Sequence, residues 1–163
     1  MIISNSSPLM YLAKIKRLNL LETLFKKIVI PEEVYEEVVE GKQEYLDSLV
    51  IERTVNDRWI KIKEIKIERE IEKFASEIHP GEIAVISLSK KLKPSLVLID
   101  DATARTIAES FGFNVKGTLY VLLKAYKRKL INKNELKDSI NQLIFSGFRI
   151  SQELYIEFLS CIE

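Results

Sequence analysis

Cysteine and histidine are almost absent from this sequence: Cys161 and His79 stand alone in 163 residues. A single cysteine excludes an intrachain disulfide, and one cysteine with one histidine excludes the usual nitrogen and sulfur ligand sets of zinc. Any Ser-His-Asp or Cys-His nucleophilic site would depend on His79 alone, and nothing in its surroundings supports one. Glycine and proline number five and four, and they gather into no linker, so the chain reads as one domain over residues 1–163. Gly112 and Gly117 lack the spacing of a phosphate-cradling loop or a dinucleotide fingerprint, which disfavours a cofactor-dependent Rossmann enzyme. No apolar run approaches the roughly 18 residues of a membrane span. The opening MIISNSSP has no basic stretch followed by a long apolar one, so a soluble, cytoplasmic protein is expected. An excess of either charge is missing too: 25 Lys and Arg face 24 Asp and Glu. That balance leaves nucleic-acid binding open, because a local basic stripe is enough for it. What the chain does have is Ile, Lys and Glu in abundance, the composition of a heat-adapted protein.

The apolar runs are short and alternate with helical spacing. Ile2-Ile3 reads as a strand, and Asn5-Ser6-Ser7-Pro8 follows with the chemistry of a helix start. Leu18 to Phe25 leads to a second strand, Ile28-Val29-Ile30, and Pro31 opens the helix PEEVYEEVVE, which Gly41 closes. The spacing predicts helices over 43–56 and 67–78, with an alternating strand Trp59 to Ile62 between them. A helix from Gly81 to Leu92 precedes Leu96 to Ile99, a continuous apolar run suited to a strand covered on both faces. Helices follow at 102–111, 118–129, 132–145 and 151–161, with a short strand at Asn114-Val115. Strands separated by helices predict an α/β fold with a parallel sheet.

In such a sheet, ligands bind beyond the carboxyl ends of the strands. Two polar sites follow strands directly: Asn5, and the pair Asp100-Asp101. Adjacent carboxylates repel, and a cation such as Mg²⁺ relieves that; Asp101 equally suits the cap of a helix beginning at Ala102, which leaves Asp100 without an explanation. Glu37 borders the apolar arc of Pro31, Val34, Tyr35, Val38 and Val39 on its helix, whereas Glu36 points away from it. Glu82 shares the spacing i, i+3, i+4, i+7 with Val85, Ile86 and Ser89, and a carboxylate heading an inward stripe needs a partner or a metal. Glu32 and Glu33 are first-turn acids favoured by the helix dipole and carry no chemistry.

Taken in order, ISNSSPLMYLAKI, IPEEVYEEVV, HPGEIAVISLSKK, LVLIDDATARTIAESFGFNVKGTLYVLLKA and GFRISQELY cover nearly the whole chain. Together they resemble the PIN-domain superfamily in its toxin-like (VapC-like) branch, with PGE, IDDxxxR and GT as the telling pattern. The resemblance implies a three-layer Rossmann-like fold whose mainly parallel sheet of about four to five strands is flanked by helices. It also implies an endoribonuclease dependent on Mg²⁺ or Mn²⁺, often the toxin of a toxin-antitoxin pair. RNA would be the substrate, a small antitoxin protein the partner, and the assembly a homodimer. Carried over by residue, the metal positions are Asn5, Glu37, Glu82 and Asp100 or Asp101, and the four acids form the catalytic set. Ser6, Arg105 and Thr118 fall on the substrate side, although Arg105 is also placed to pair with Asp101 or Glu109. Asn5 departs from the strict pattern, because an amide brings no charge to a metal site and is a poorer ligand for a hard cation. The alternative is therefore a catalytically weakened or inactive module that binds RNA or a protein. Lys124, Lys127, Arg128 and Lys129, and separately Lys90, Lys91 and Lys93, are the densest basic groups.

Overall fold

Each short apolar run becomes a strand. In the computed structural model, which describes residues 1–40 and 46–162, these are β1 (Ile2–Ser4), β2 (Ile28–Pro31), β3 (Ile60–Lys63), β4 (Leu96–Leu98) and β5 (Val115–Lys116). They form one sheet in the order β3-β2-β1-β4-β5, and every pairing is parallel. The central strands are buried along their whole length, as their unbroken apolar character requires. At the edge, β3 buries Ile60 and exposes Lys61, Ile62 and Lys63, and lysines there discourage pairing with another chain.

Ten helices flank the sheet among the described residues: α1 (Ser6–Lys14), α2 (Asn19–Phe25), α3 (Glu32–Val38), α4 (Leu46–Asn56), α5 (Arg69–Glu72), α6 (Pro80–Leu92), α7 (Ala102–Ser110), α8 (Thr118–Lys127), α9 (Lys133–Phe145) and α10 (Gln152–Ser160). Several begin on side chains that satisfy otherwise unpaired amides. Asn132 and Glu135 bond reciprocally at the start of α9, and Ser151 caps α10. The α3 helix ends at Val38; Gly41, expected to close it, and residues 43–45, expected to open the next helix, lie outside the described residues.

One expectation is corrected. The segment 67–78 is helical only over Arg69–Glu72. Beyond it the amides of Phe74, Ala75 and Glu77 donate to the carbonyls of Ile71, Glu72 and Phe74, three residues back. Ile67, Ile71, Phe74 and Ile78 have helical spacing, but Pro80 forces His79 into extended backbone (φ −71°, ψ 156°). The chain tightens into short turns to bury Ile71 and Ile78 before it gets there.

The strand order reverses between β1 and β4, which lie side by side with Ser4 opposite Leu98. Connections leave this point in opposite directions and open a crevice beyond the strand ends. No helix among the described residues is long and apolar enough to cross a membrane.

Candidate active site

Asn5 leaves β1 at the reversal. Its backbone N–H donates to the Leu98 carbonyl at 2.9 Å, tying it to β4. Its buried side chain is committed at both ends: Oδ1 accepts from the Ser6 N–H at 2.7 Å and the Ser6 hydroxyl at 3.3 Å, while Nδ2 donates to Glu82 Oε1 at 3.2 Å. The Ser6 N–H decides which way round the amide lies, because the opposite orientation would set two donors against each other.

Glu82 sits in the first turn of α6 and is only 4% exposed. Its second oxygen, Oε2, accepts from the His79 N–H at 2.9 Å. Burial pushes the Glu82 carboxyl above the usual range; the His79 amide bond and imidazole oppose this, and the negative charges of Asp101 and Glu37 add to it. A side chain at Gly81 would place its Cβ 2.9 Å from Glu37 Oε2 and 3.7 Å from Asn5 Oδ1. Glycine here lets Glu37, exposed on α3, reach over the start of α6 toward Asn5.

The two aspartates after β4 take different directions. Asp101 is exposed and caps α7 through Oδ1, which accepts from the Ala104 N–H at 2.8 Å. Its charge is nevertheless felt at Glu82. Asp100 is clamped by one residue: Oδ1 accepts the Thr118 N–H at 2.7 Å and Oδ2 the Thr118 hydroxyl at 2.6 Å. A Cβ at Gly117 would lie 2.6 Å from Asp100 Oδ1 and 3.5 Å from an Arg105 guanidinium nitrogen, so glycine is needed there for room. Asn5, Glu37, Glu82 and Asp101 thus share one mouth, and Asp100 adjoins it with Thr118 and Arg105. Ser6 and Thr118, which the resemblance puts on the substrate side, are both buried and direct their donors at Asn5 and Asp100. Arg105 makes no ion pair with Asp101 or Glu109.

The family model described as PIN domain matches residues 1–163. This chain belongs to the PIN-domain family. Neither the curated proteins nor the solved structures gave a match.

PIN domains are generally nucleases that use divalent metals, and the mouth of this PIN domain suits such an ion in kind. Its donors are carboxylate and amide oxygens, the ligands of a hard cation. Glu82 is a buried acid whose two partners are neutral N–H groups, and each of its oxygens keeps a second lone pair. The spacing limits how an ion would be held: among the described residues, no three Asp, Glu, His or Cys side chains are grouped closely enough to ligate one together. That is compatible with a small cation that keeps most of its water and takes one or two carboxylates, the usual habit of Mg²⁺. Glu82, with Glu37 or Asp101, could supply those carboxylates.

The sequence pattern does not reveal the parts played by Gly81, Gly117 and the His79 amide, since each acts through backbone. Of the basic groups, Lys90 pairs with Glu68 and Glu70 at 2.7 and 2.5 Å, and Lys124 lies over the Phe25 and Tyr120 rings.

Burial also raises the Asp100 carboxyl, against the lowering effect of its Thr118 bonds and of Arg105. Between the ordinary carboxylate value and this raised one, the folded protein binds a proton that the unfolded chain has released. Its contribution to stability is therefore present at low pH and lost as pH rises through the folded value. Asp100→Asn keeps both Thr118 contacts, accepting the N–H and donating to the hydroxyl, without the buried charge. It should melt at or above wild type near about pH 8, with the difference closing by about pH 4. Thermal melts across that range check this, and a variant less stable at the upper end would show that the ionised carboxylate is itself stabilising.

Proposed function

We propose that this PIN domain is a divalent-metal-dependent endoribonuclease that hydrolyses RNA phosphodiesters at the mouth formed by Asn5, Glu37, Glu82 and Asp101, with Asp100 held alongside. The observation that carries this is the buried Glu82 carboxylate, met only by neutral donors and flanked by two further acids. A Mg²⁺ or Mn²⁺ ion bound there would activate water and neutralise charge developing on the phosphate. The protein's own contribution is positional. Asn5 and the His79 amide fix the Glu82 carboxylate, Thr118 fixes Asp100, and Arg105 offers a guanidinium for a phosphate oxygen. In the cell the protein would act as the toxin of a toxin-antitoxin pair, restrained by a small antitoxin protein, and as a homodimer. Single-stranded RNA incubated with Mn²⁺ is expected to be cut, and to stay intact in EDTA. Cleavage that survives EDTA, or none with either metal, overturns the proposal. A small protein encoded next to this gene should co-purify with the chain and stop cleavage, and sedimentation should give twice the chain mass.

A second reading, a weakened or inactive PIN module, is favoured by one contact: the Asn5 amide N–H points at Glu82 Oε1, where a carboxylate would add charge for a metal. Asn5→Asp separates the two readings. Aspartate keeps the Ser6 bond but sets a second carboxylate against Glu82. The variant should lose about 1–3 kcal/mol in EDTA and regain it in Mn²⁺, with a melting shift that grows with the logarithm of metal concentration. If the wild-type mouth is metal-poor, cleavage should rise about tenfold or more. Identical melts for both proteins with and without Mn²⁺ would remove position 5 from the metal's surroundings.

A further inference from the structure

A second cleft opens beside Asp100, between the first turns of α8 and the terminal helix α10. It encloses about 350 Å³ and is lined by apolar side chains, among them Tyr120, Leu123, Phe148, Leu154 and Phe158. Phe148 packs edge-on against Tyr11, with ring centres 5.0 Å apart. Around it stand three cations, Arg105, Lys116 and Arg149. None of them makes an ion pair among the described residues. The cleft holds two acids, Asp100 and Glu157, and Asp100 turns both its oxygens to Thr118. An apolar floor with a cationic rim calls for a ligand that is flat and apolar at one end and anionic at the other.

Two features decide between occupants. The cleft is continuous with the candidate active site, sharing Asp100, Arg105 and Gly117 with it. Its size lies near the lower end of the ~300–1,000 Å³ usual for small-ligand pockets, room for one nucleotide and too little for the row of anchors along a bound helix. We propose that this cleft is a nucleotide subsite, in which one base of a single-stranded RNA lies between α8 and α10 while its phosphates meet Arg105, Lys116 and Arg149. It rests on the nuclease reading above, and places the bound nucleotide next to the phosphate to be cut. Base stacking against aromatic and apolar walls is tolerant of sequence, and phosphate contacts set the salt dependence.

Cys161 provides the probe. It lines the cleft, is exposed, and is the only cysteine of the chain. The experiment uses the full chain in EDTA, where no metal-dependent hydrolysis runs, with a fluorescent single-stranded RNA of about eight nucleotides, within the site sizes common for such strands. The RNA should slow alkylation of Cys161 by iodoacetamide several-fold. Lys116→Glu and Arg149→Glu, both at exposed positions, should melt like wild type, weaken RNA binding about tenfold each, and reduce the salt slope by about 0.7 or more. Leu154→Ala should weaken binding a few-fold and leave the salt slope unchanged. Wild-type affinity in both charge variants, or alkylation at an unchanged rate under saturating RNA, overturns the subsite even if the protein cuts RNA. Protection by polyglutamate equal to that by RNA also overturns it and makes the cleft a contact for an acidic protein. RNA protection of Cys161 in a protein that cleaves nothing supports the subsite while removing the nuclease.

Discussion

Glu82→Gln is expected to reduce metal-dependent RNA cleavage on the order of 10²-fold or more, while the protein melts within a few degrees of wild type. The side chain is the same size, so the fold loses no packing. Glutamine brings one acceptor oxygen where glutamate offers two, and Asn5 Nδ2 and the His79 N–H compete for it. One donor is left unpaired at about 1–3 kcal/mol, offset by the relief of a buried charge that already resists ionisation. Chemistry has no such compensation, because the neutral amide removes the one buried anion at the mouth. The measurement is cleavage rate beside the melting shift produced by Mn²⁺, which should be present in wild type and absent from the variant. Equal rates and equal shifts would remove Glu82 from the site.

Gly117→Ala should destabilise the fold by about 2–4 kcal/mol, with a fall in melting temperature of roughly 5–15 °C. The backbone is extended there (φ −119°, ψ −172°), a conformation open to any residue, so conformational strain is not the cause. The added methyl would meet Asp100 Oδ1 at 2.6 Å, and Asp100 cannot swing aside without breaking both bonds to Thr118. Gly81 offers the contrast: the atom its Cβ would meet is the end of an exposed, flexible Glu37. The Gly117 penalty should shrink sharply when Asp100 is already alanine, a non-additivity readable from a double-mutant cycle of thermal melts. An unchanged penalty in that background would place the obstacle elsewhere.

Much of this architecture is written in local patterns. Ile2-Ile3, Ile28 to Ile30 and Leu96 to Ile99 are too short and too evenly apolar for surface helices, and all pack into the centre of the sheet. Asn5 and the Asp100-Asp101 pair were legible because they follow such runs, and the Glu82 stripe because Val85, Ile86 and Ser89 are buried with it. Other features depend on contacts between distant segments, which spacing does not encode. The division of labour between Asp100 and Asp101 is set by Thr118, eighteen positions from Asp100. The amide orientation of Asn5 matters only because Glu82 arrives from 77 residues away. The segment 67–78 misleads because its apolar spacing is helical while Pro80 fixes the backbone at its end.

The pairing of β1 with β4 also has a consequence for the order in which the molecule is made. The strand β1 is made before either of its neighbours, but the one on its far side begins at Leu96, and the Ser95 hydroxyl that bonds the Met1 carbonyl lies 94 positions later. Contacts so far apart in sequence carry a high loop-closure entropy and form slowly. A nascent chain can pair β1 with β2, but Asn5 has no crevice beside Asp100 and Asp101 until β4 has been synthesised and docked. The mouth therefore comes into being only once β4 has docked against β1, however early Asn5 itself is made.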